Sequence, residues 1–268
     1  MAEYYPVKPL KSPVAWVGGK RRLAPTICEQ IDQIDHQSYI EVFMGMGGVF
    51  LARSCRPKAE VINDASRDVV NLFRVAKHHP EALLTELRLS LVSRADFRRA
   101  CATPPETLTD IQRAARFFLI QRLNYGGKPD SKSFPARGNA GKGIHLERLQ
   151  ASLFAIRDRL AGVVIEEMDW ATLLRRYDHP AALFYADPPY WGCEDYYGKG
   201  MFNRADHARL AEALLGLSGR FILSINDVPE IRALYAGKAR IIEVSTKYTV
   251  AGGGAQAVSE LLVIGGGQ

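Results

Sequence analysis

Short apolar segments that end in a polar or acidic residue recur along this chain, and no other feature constrains its fold as strongly. They lie at 39–43, 60–63, 163–165, 182–185 and 221–225, with two later ones at 240–244 and 260–264. Each has the length of a strand and is rich in Val, Ile, Leu, Phe or Tyr, whereas 65–77 has helical periodicity. Strands that alternate with helices are typical of a parallel sheet, so we expect an α/β fold.

The middle of the chain has a different character. Residues 80–122 combine helical periodicity with many basic side chains and are interrupted at Pro104-Pro105. Residues 124–143 are rich in Gly, Lys, Ser and Pro, a composition typical of an exposed loop, and 146–160 has the pattern of a further helix. The sequence therefore predicts a helical, basic segment that interrupts the sheet.

The positive charge is concentrated in that segment. Residues 93–157 hold twelve Lys and Arg against five Asp and Glu, a net charge of +7, while the whole chain carries +6. Such a block suits a phosphate backbone, although a solvated helical face is an equal alternative from charge alone. We expect a domain built on the α/β sheet, formed by 1–80 and 161–268, and an insertion at 81–160 that has the size of a small domain.

Composition excludes several classes of protein. The chain is 47% hydrophobic and 24% charged, which is ordinary for a globular protein and disfavours a disordered or coiled-coil chain. No apolar run has the length of a membrane span, and the first residues lack the apolar stretch of a leader, so we expect a cytoplasmic protein. We also expect a monomer in solution. The four cysteines form no CxxC pair, which disfavours a zinc site or a disulfide framework, and we expect no metal.

A glycine turn follows the first predicted strand. Gly45-Met46-Gly47-Gly48 lies between strand and helix patterns, a place where a ligand can approach the backbone closely. Asp64 ends the next strand 19 residues later, the position from which a carboxylate accepts ribose hydroxyls. Phe50 stands where a dinucleotide fingerprint requires its third glycine. The pattern favours a nucleoside cofactor without a pyrophosphate and disfavours a nicotinamide dehydrogenase.

A second glycine pair lies near the N-terminus, in Trp16-Val17-Gly18-Gly19-Lys20. It lacks the first glycine and the Ser or Thr of a phosphate-binding loop. Exposed amides before a helix, together with the Lys20 cation, form a suitable seat for a carboxylate. Trp16 can pack against a sulfonium or a purine ring. A tight turn with a solvated lysine is the structural alternative.

Asp187-Pro188-Pro189-Tyr190 follows directly on a predicted strand and is the most specific motif in the chain. Two consecutive prolines fix the backbone and remove two amide donors. The Asp187 carboxylate and the Pro188 carbonyl can then accept both hydrogens of one amino group, and Tyr190 can stack on a planar ring. The carboxyl edge of a parallel sheet is where α/β enzymes bind ligands.

This motif resembles the catalytic motif of amino-methylating DNA methyltransferases. With Trp16 to Lys20, Glu41 to Gly45 and Asn63-Asp64 in that order, and a long insertion before Asp187, the chain resembles the Dam-like DNA adenine methyltransferases over nearly its whole length. The resemblance implies a Rossmann-like methyltransferase sheet with a helical, basic target-recognition insertion. It also implies S-adenosylmethionine as cofactor and double-stranded DNA as partner.

The resemblance further implies roles for individual residues. Lys20 would lie near the cofactor carboxylate, Asp64 would accept the ribose hydroxyls, and Asp169 would lie by the cofactor adenine. The full cofactor set is Trp16, Lys20, Phe43, Gly45, Asp64, Asp169 and Asp187. The catalytic set is Asp187, Pro188 and Tyr190. The set expected to meet DNA is Arg122, Asn124, Tyr125, Lys128 and Arg137.

The expected reaction is methylation of the N6 amino group of an adenine flipped out of the duplex. Methylation of the cytosine N4 amino group is the nearest alternative, because the same motif serves it. Methylation of a protein glutamine would favour Asn at position 187 and leaves the basic insertion unexplained. An inactive DNA-binding scaffold is the alternative outside enzymes. Restriction–modification, phage evasion of defence and cell-cycle marking all fit the sequence as biological roles.

Overall fold

The computed structural model describes residues 2–16, 18–90, 93–124, 146–194, 200–249 and 255–267. Its strands are β1 (Tyr5–Pro6), β2 (Ser38–Glu41), β3 (Cys55–Arg56), β4 (Ala59–Asn63), β5 (Val164–Glu166), β6 (Ala182–Ala186), β7 (Arg220–Asn226), β8 (Arg240–Thr249) and β9 (Ala255–Gly266). β1 pairs with β3, and the other seven form one sheet in the order β5-β4-β2-β6-β7-β9-β8.

The sheet is parallel from β5 to β7, and β9 runs antiparallel to both β7 and β8. Every residue of β2 and β6 is buried, as expected for central strands covered on both faces, and this explains the continuous apolar run of β6. The strand order reverses between β2 and β6, and such a switch point opens a crevice at the carboxyl ends of the strands. The expected α/β fold with a Rossmann-like sheet is confirmed.

Helices cover both faces of the sheet. Within the described residues the α-helices are α1 (Ala24–Asp32), α2 (Arg67–His78), α3 (Pro80–Leu89), α4 (Arg94–Ala102), α5 (Asp110–Leu123), α6 (Leu146–Arg159), α7 (Trp170–Tyr177), α8 (Arg204–Leu215) and α9 (Pro229–Tyr235). A 3-10 turn at Pro105–Thr107 lies at the predicted Pro-Pro break. Thr109 and Gln112 form a capping box that starts α5 just after it.

Several local predictions differ from the structure. The helix pattern expected after the glycine turn is only a 3-10 turn at Phe50–Ala52. Arg53 is already extended and Cys55–Arg56 pair with β1, so too few residues remain after the glycine turn for an α-helix. The two late strands are longer than predicted because they pair with each other along their whole length. The predicted loop at 124–143 lies, except for Asn124, outside the described residues.

The helices of the predicted insertion share a hydrophobic core with the sheet. α5 and α6 pack against α2, and Phe117, Phe118 and Leu153 belong to the same buried cluster as Tyr39 and Ile62 of the sheet. Only Phe97, Ile120 and Leu123 form a separate small cluster between α4 and α5. The core therefore crosses the boundaries at 80 and 160, and the division into two domains stays a prediction.

Candidate active site

A cavity of about 760 Å³ opens at the switch point of the sheet. Its wall includes the turn after β2, the residue after β4 and the residue after β6, which are Gly45, Asp64 and Asp187. The N-terminal segment from Pro9 to Trp16 forms a further part of the wall. The volume is within the range of cofactor and drug-sized ligand sites. Three motifs that are far apart in sequence therefore border one space.

The glycine turn needs its glycines. Gly45 has φ +49° and Gly47 has φ +67°, a region that side chains with a Cβ rarely adopt. A Cβ on Gly45 would lie 2.7 Å from Nε1 of Trp16. The missing side chain lets the turn pass directly under the indole ring. Gly45 therefore borders the cavity with backbone atoms rather than with a side chain.

Asp64 is fixed by two backbone amides. Its Oδ2 accepts a hydrogen bond from the Gly45 amide at 2.8 Å, and its Oδ1 accepts one from the Ser66 amide at 2.8 Å. Burial raises the pKa of Asp64 to about 6, although these two bonds lower it. Each oxygen keeps a lone pair that can accept a hydroxyl group. The arrangement suits a carboxylate that binds a ribose.

Aromatic side chains form the apolar part of the cavity. Trp16 contacts Phe117 of α5 edge-on, with ring centroids 6.2 Å apart. Phe43 contacts Phe202 edge-on at 6.0 Å. Three of these rings, those of Trp16, Phe43 and Phe202, line the cavity and can pack against a purine. Trp16 and Phe43 were predicted here, whereas Phe202 was not.

Lys20 is buried and belongs to the catalytic side of the cavity. Its Nζ lies 2.6 Å from Oδ1 of Asp187 and donates hydrogen bonds to the Tyr190 hydroxyl at 2.8 Å and the Gly18 carbonyl at 3.0 Å. Three protein partners match the three protons of an ammonium group. The expected contact between Lys20 and a cofactor carboxylate stays a prediction. In the structure Lys20 contacts the Asp-Pro-Pro-Tyr segment through Asp187 and Tyr190.

Asp187 lies where β6 ends and borders the cavity. Burial raises the pKa of its carboxyl to about 6, and the neighbouring Lys20 ammonium partly offsets this effect. Its Oδ1 also accepts a hydrogen bond from the Ser224 hydroxyl at 3.1 Å. At neutral pH the group is therefore a partly buried carboxylate, with one positive and one neutral donor on the same oxygen.

The segment after Asp187 is pinned to the neighbouring strand. Asn226, at the end of β7, accepts a hydrogen bond from the Trp191 amide at 2.9 Å and donates one to the Trp191 carbonyl at 3.1 Å. Pro188 is buried beside Asp187, and the Tyr190 ring is partly exposed. The two prolines and this reciprocal pair give the segment little freedom.

The remaining predicted site residues that the structure describes are Asp169, Arg122 and Asn124, and each has a different relation to the cavity. Asp169 is exposed, caps the start of α7 through the Thr172 amide at 2.9 Å, and is not part of the cavity wall. Arg122 is exposed and lines the cavity from α5, whereas Asn124 is buried at the end of that helix. Tyr125, Lys128 and Arg137 lie outside the described residues.

Sequence reasoning missed several polar groups beneath the cavity. Glu41, Ser224 and Glu260 are each no more than 1% exposed and lie on three strands of the sheet. Burial raises the pKa of Glu41 to about 8, and Tyr39 donates a hydrogen bond to it at 2.6 Å. A polar residue inside an apolar strand pattern was the available signal, because such a residue must find a partner when buried.

The described residues lack two features, a metal-holding cluster and a membrane-spanning helix. They contain no cluster of three or more His, Cys, Asp or Glu side chains arranged to hold a metal ion. Among the described helices, none is long and apolar enough to cross a membrane.

Comparisons with known proteins add a family. A model of the D12 class of N6 adenine-specific DNA methyltransferases matches residues 16–250. The chain is 22% identical over 235 residues to the type II methyltransferase M.CviBI of Paramecium bursaria Chlorella virus NC1A, covering 85% of this chain and 87% of that protein. It is 28% identical over 123 residues to the type II methyltransferase M1.LlaDCHI of Lactococcus lactis subsp. cremoris, covering 42% and 40%.

Among solved structures, the ribosomal protein L11 methylase of Lactobacillus delbrueckii subsp. bulgaricus is similar with a TM-score of 0.39 and 11% identity. The similarity covers 95% of this chain and 82% of that one. The α/β fold of this chain follows from its own strand order and pairing.

Proposed function

The chain belongs to the D12 class of N6 adenine-specific DNA methyltransferases, and from this premise we propose how its residues perform the reaction. The family establishes methyl transfer from S-adenosylmethionine to the N6 amino group of adenine in DNA. The observation that carries the assignment of residues is the position of Asp187 on the wall of the cavity that Gly45 and Asp64 also border.

The residues around the cavity fit the cofactor. Gly45 approaches Trp16 so closely that the turn presents backbone to the cavity, and Asp64 offers two oxygens to a ribose. We assign Trp16, Phe43, Gly45 and Asp64 to cofactor binding, with Lys20 and Asp187 at the reacting end. S-adenosylmethionine supplies an electrophilic methyl group bound to a sulfonium.

Asp187 and Pro188 activate the amino group. The lone pair of an adenine amino group is delocalised into the ring, so the nitrogen is a poor nucleophile. Hydrogen bonds from both amino hydrogens to the Asp187 carboxylate and the Pro188 carbonyl favour a tetrahedral nitrogen, whose lone pair is then available. The carboxylate also stabilises the positive charge that develops on this nitrogen, an effect that is strong in a buried site.

The target base reaches this site by leaving the duplex, because Asp187 borders a cavity that a base stacked inside a duplex cannot enter. Tyr190 stacks on the extruded base and offsets part of the unstacking cost. The hydrogen bond from Lys20 to the Tyr190 hydroxyl supports this role, because it holds the ring beside Asp187.

The basic insertion binds the duplex. Arg94, Arg98, Arg99 and Arg148 are exposed on α4 and α6, and they supply the charge that phosphate contacts need. Arg122 extends this surface to the mouth of the cavity, and we assign Arg122, Asn124, Tyr125, Lys128 and Arg137 to DNA recognition. The named relatives are type II methyltransferases, which supports a role in restriction–modification. A monomeric, cytoplasmic, metal-independent enzyme stays a prediction.

The function is tested by methyl transfer. Purified protein is incubated with labelled S-adenosylmethionine and unmethylated DNA of mixed sequence, and the DNA is digested to nucleosides. We expect the label in N6-methyladenine. Label in N4-methylcytosine would keep the chemistry and overturn the base, and an unlabelled DNA pool despite measured cofactor binding would contradict the function.

The assignment of Asp187 is tested with Asp187→Ala. The variant is expected to lose methyl transfer, since the amino group loses its charged acceptor, while DNA binding in a gel-shift assay survives. Methyl transfer at the wild-type rate would contradict the role of Asp187.

A further inference from the structure

The two oxygens of the Asp187 carboxylate have unequal surroundings. Oδ1 lies 2.6 Å from Nζ of Lys20 and accepts the Ser224 hydroxyl at 3.1 Å. Within the described residues, Oδ2 receives no hydrogen bond, and the Asp187 side chain keeps 19% of its surface exposed beside the cavity. One oxygen is thus held by the protein, and the other is available to a ligand.

The Ser224 hydroxyl is itself oriented by a second hydroxyl, that of Tyr185. It lies 2.8 Å from the Tyr185 hydroxyl, and both residues are buried on the central strands β7 and β6. Ser224 has one hydrogen, which it donates to Asp187, so Tyr185 is the donor to Ser224. Burial raises the pKa of Tyr185 well above its usual value, which keeps the tyrosine protonated as that donor. The chain of bonds runs in one direction, toward Oδ1.

Glu260 acts on the other partner of Oδ1. It is fully buried on β9, opposite Asn226 at the carboxyl end of β7, and its Oε2 lies 3.9 Å from Nζ of Lys20. A buried carboxylate attracts the ammonium strongly because little water screens the pair. Lys20 therefore lies between two carboxylates, those of Glu260 on the sheet and Asp187 at the cavity.

We propose that Ser224 and Glu260 are positioning residues for methyl transfer: Ser224 holds Oδ1 of Asp187 directly, Glu260 holds it through Lys20, and Oδ2 is thereby presented to the target amino group. This inference rests on the proposed function of Asp187. Neither residue touches the substrate. Their effect is to keep the carboxylate from rotating, so that the acceptor is in place before the base arrives.

Ser224→Ala and Glu260→Gln test the proposal. Both variants are expected to lower kcat by about ten- to 100-fold, the size of effect that a small misplacement of a reacting group produces. KM for DNA and the cofactor Kd, measured by calorimetry, are expected to stay within about twofold, because neither residue lines the cavity. Ser224→Ala removes only one oxygen atom, so it remains informative even where the Glu260 variant folds poorly.

The pH profile separates positioning from a general structural role. The Ser224 hydrogen bond lowers the pKa of Asp187, whereas the charge of Glu260 raises it. The acidic limb of kcat is therefore expected to move to higher pH in Ser224→Ala and to lower pH in Glu260→Gln. The other charged or titratable groups that act on this carboxyl or lie beside it are Lys20, Glu41, Tyr185 and Tyr190, and both variants leave them in place.

Glu243→Gln is the matched control, since it makes the same chemical change on β8, beside β9 of the same hairpin, where the side chain is exposed and paired with Arg232. We expect wild-type kcat and an unchanged acidic limb for this control. Wild-type kcat in both test variants would overturn the inference, and so would acidic limbs of kcat that move in the same direction in both. In either case, methyl transfer by the wild-type protein would still support the proposed function. Absence of adenine methylation by the wild-type protein would instead refute that function.

Discussion

At the scale of single residues, burial changes the ionisation of three carboxyl groups around the cavity. The pKa is raised to about 8 for Glu41 and to about 6 for Asp64 and Asp187. A raised pKa means that the folded state retains a proton that the unfolded chain releases, so stability is lost as the pH rises toward the folded pKa. Under the proposed mechanism catalysis has the opposite dependence, because Asp187 would have to be ionised to accept the amino hydrogens.

Glu41→Gln is expected to remove the largest of these effects on stability. Between the ordinary carboxyl pKa of 4.5 and about 8, the wild-type protein should lose stability relative to the variant by about 1.4 kcal/mol per pH unit. The glutamine oxygen can still accept the hydrogen bond from Tyr39. Urea unfolding of both proteins at pH 5.5, 6.5 and 7.5 measures the difference, and parallel stability curves would contradict the burial of an ionisable Glu41.

Gly45→Ala is expected to weaken cofactor binding. The new Cβ would lie 2.7 Å from Nε1 of Trp16 at a backbone φ of +49°, so the turn or the indole must move. We expect the cofactor Kd, measured by calorimetry, to rise about tenfold or more. Gly162→Ala is the control, because Gly162 has φ +76° with open space around it. An equal rise of the cofactor Kd in both variants would show that backbone strain alone, rather than the close approach of Gly45 to Trp16, determines binding.

At the scale of elements, a buried charge cluster joins the end of α6 to the sheet. Arg159 donates two hydrogen bonds to Glu60 of β4, at 2.6 and 2.8 Å, and Arg53 donates a third at 2.8 Å. All three side chains are at most 2% exposed. Arg53 also stacks on the Tyr39 ring and Arg159 on the Phe50 ring. The last residue of α6, near the end of the predicted insertion, is therefore anchored in the sheet.

Arg159→Met is expected to destabilise the protein by about 3 kcal/mol, since it leaves a buried carboxylate with one partner instead of two. Arg157→Met, two residues earlier, is the control: Arg157 is 39% exposed and pairs only with surface acids. Its loss is expected to cost less than about 1 kcal/mol. Denaturant unfolding measures both values, and equal costs would mean that the buried cluster contributes no more than a surface ion pair.

At the scale of the whole molecule, the proposed DNA-binding and cofactor-binding regions border the same cavity. α5 lies in the predicted insertion, yet Phe117 contacts Trp16 and Arg122 lines the cavity. Because the insertion packs onto α2 in one continuous core, a change in its helices is transmitted to the cofactor site. This geometry predicts that binding of duplex and cofactor are coupled.

Phe117→Leu tests this coupling from the insertion side. Loss of the edge-on contact with Trp16 is expected to raise the cofactor Kd about fivefold, which corresponds to about 1 kcal/mol. Phe118→Leu, the matched control, alters the next residue of the same buried cluster, which faces another direction around the helix. Both should lose similar stability in thermal unfolding. An unchanged cofactor Kd in Phe117→Leu would show that the insertion does not support the site.

Local chemistry made much of this fold predictable. The strands at the centre of the sheet follow from apolar runs that both faces bury, and the glycine turn follows from positions with positive φ. The position of Asp187 at a strand end could also be predicted, because strand pattern and prolines are adjacent in sequence. The short 3-10 turn after Gly48 could not, because the pairing of β3 with β1 uses the residues that a helix would need.

Residues that are neighbours along the chain are enough to predict the sheet, the glycine turn, and the Asp-Pro-Pro-Tyr motif at a strand end. Only the tertiary structure determines which side chains contact Asp187 or its partner Lys20. Lys20, Ser224 and Glu260 come from a turn and two strands far apart in sequence. It also decided that Asp169 caps a helix outside the cavity wall. Burial and contact depend on how strands are ordered in space, and no local pattern carries that information.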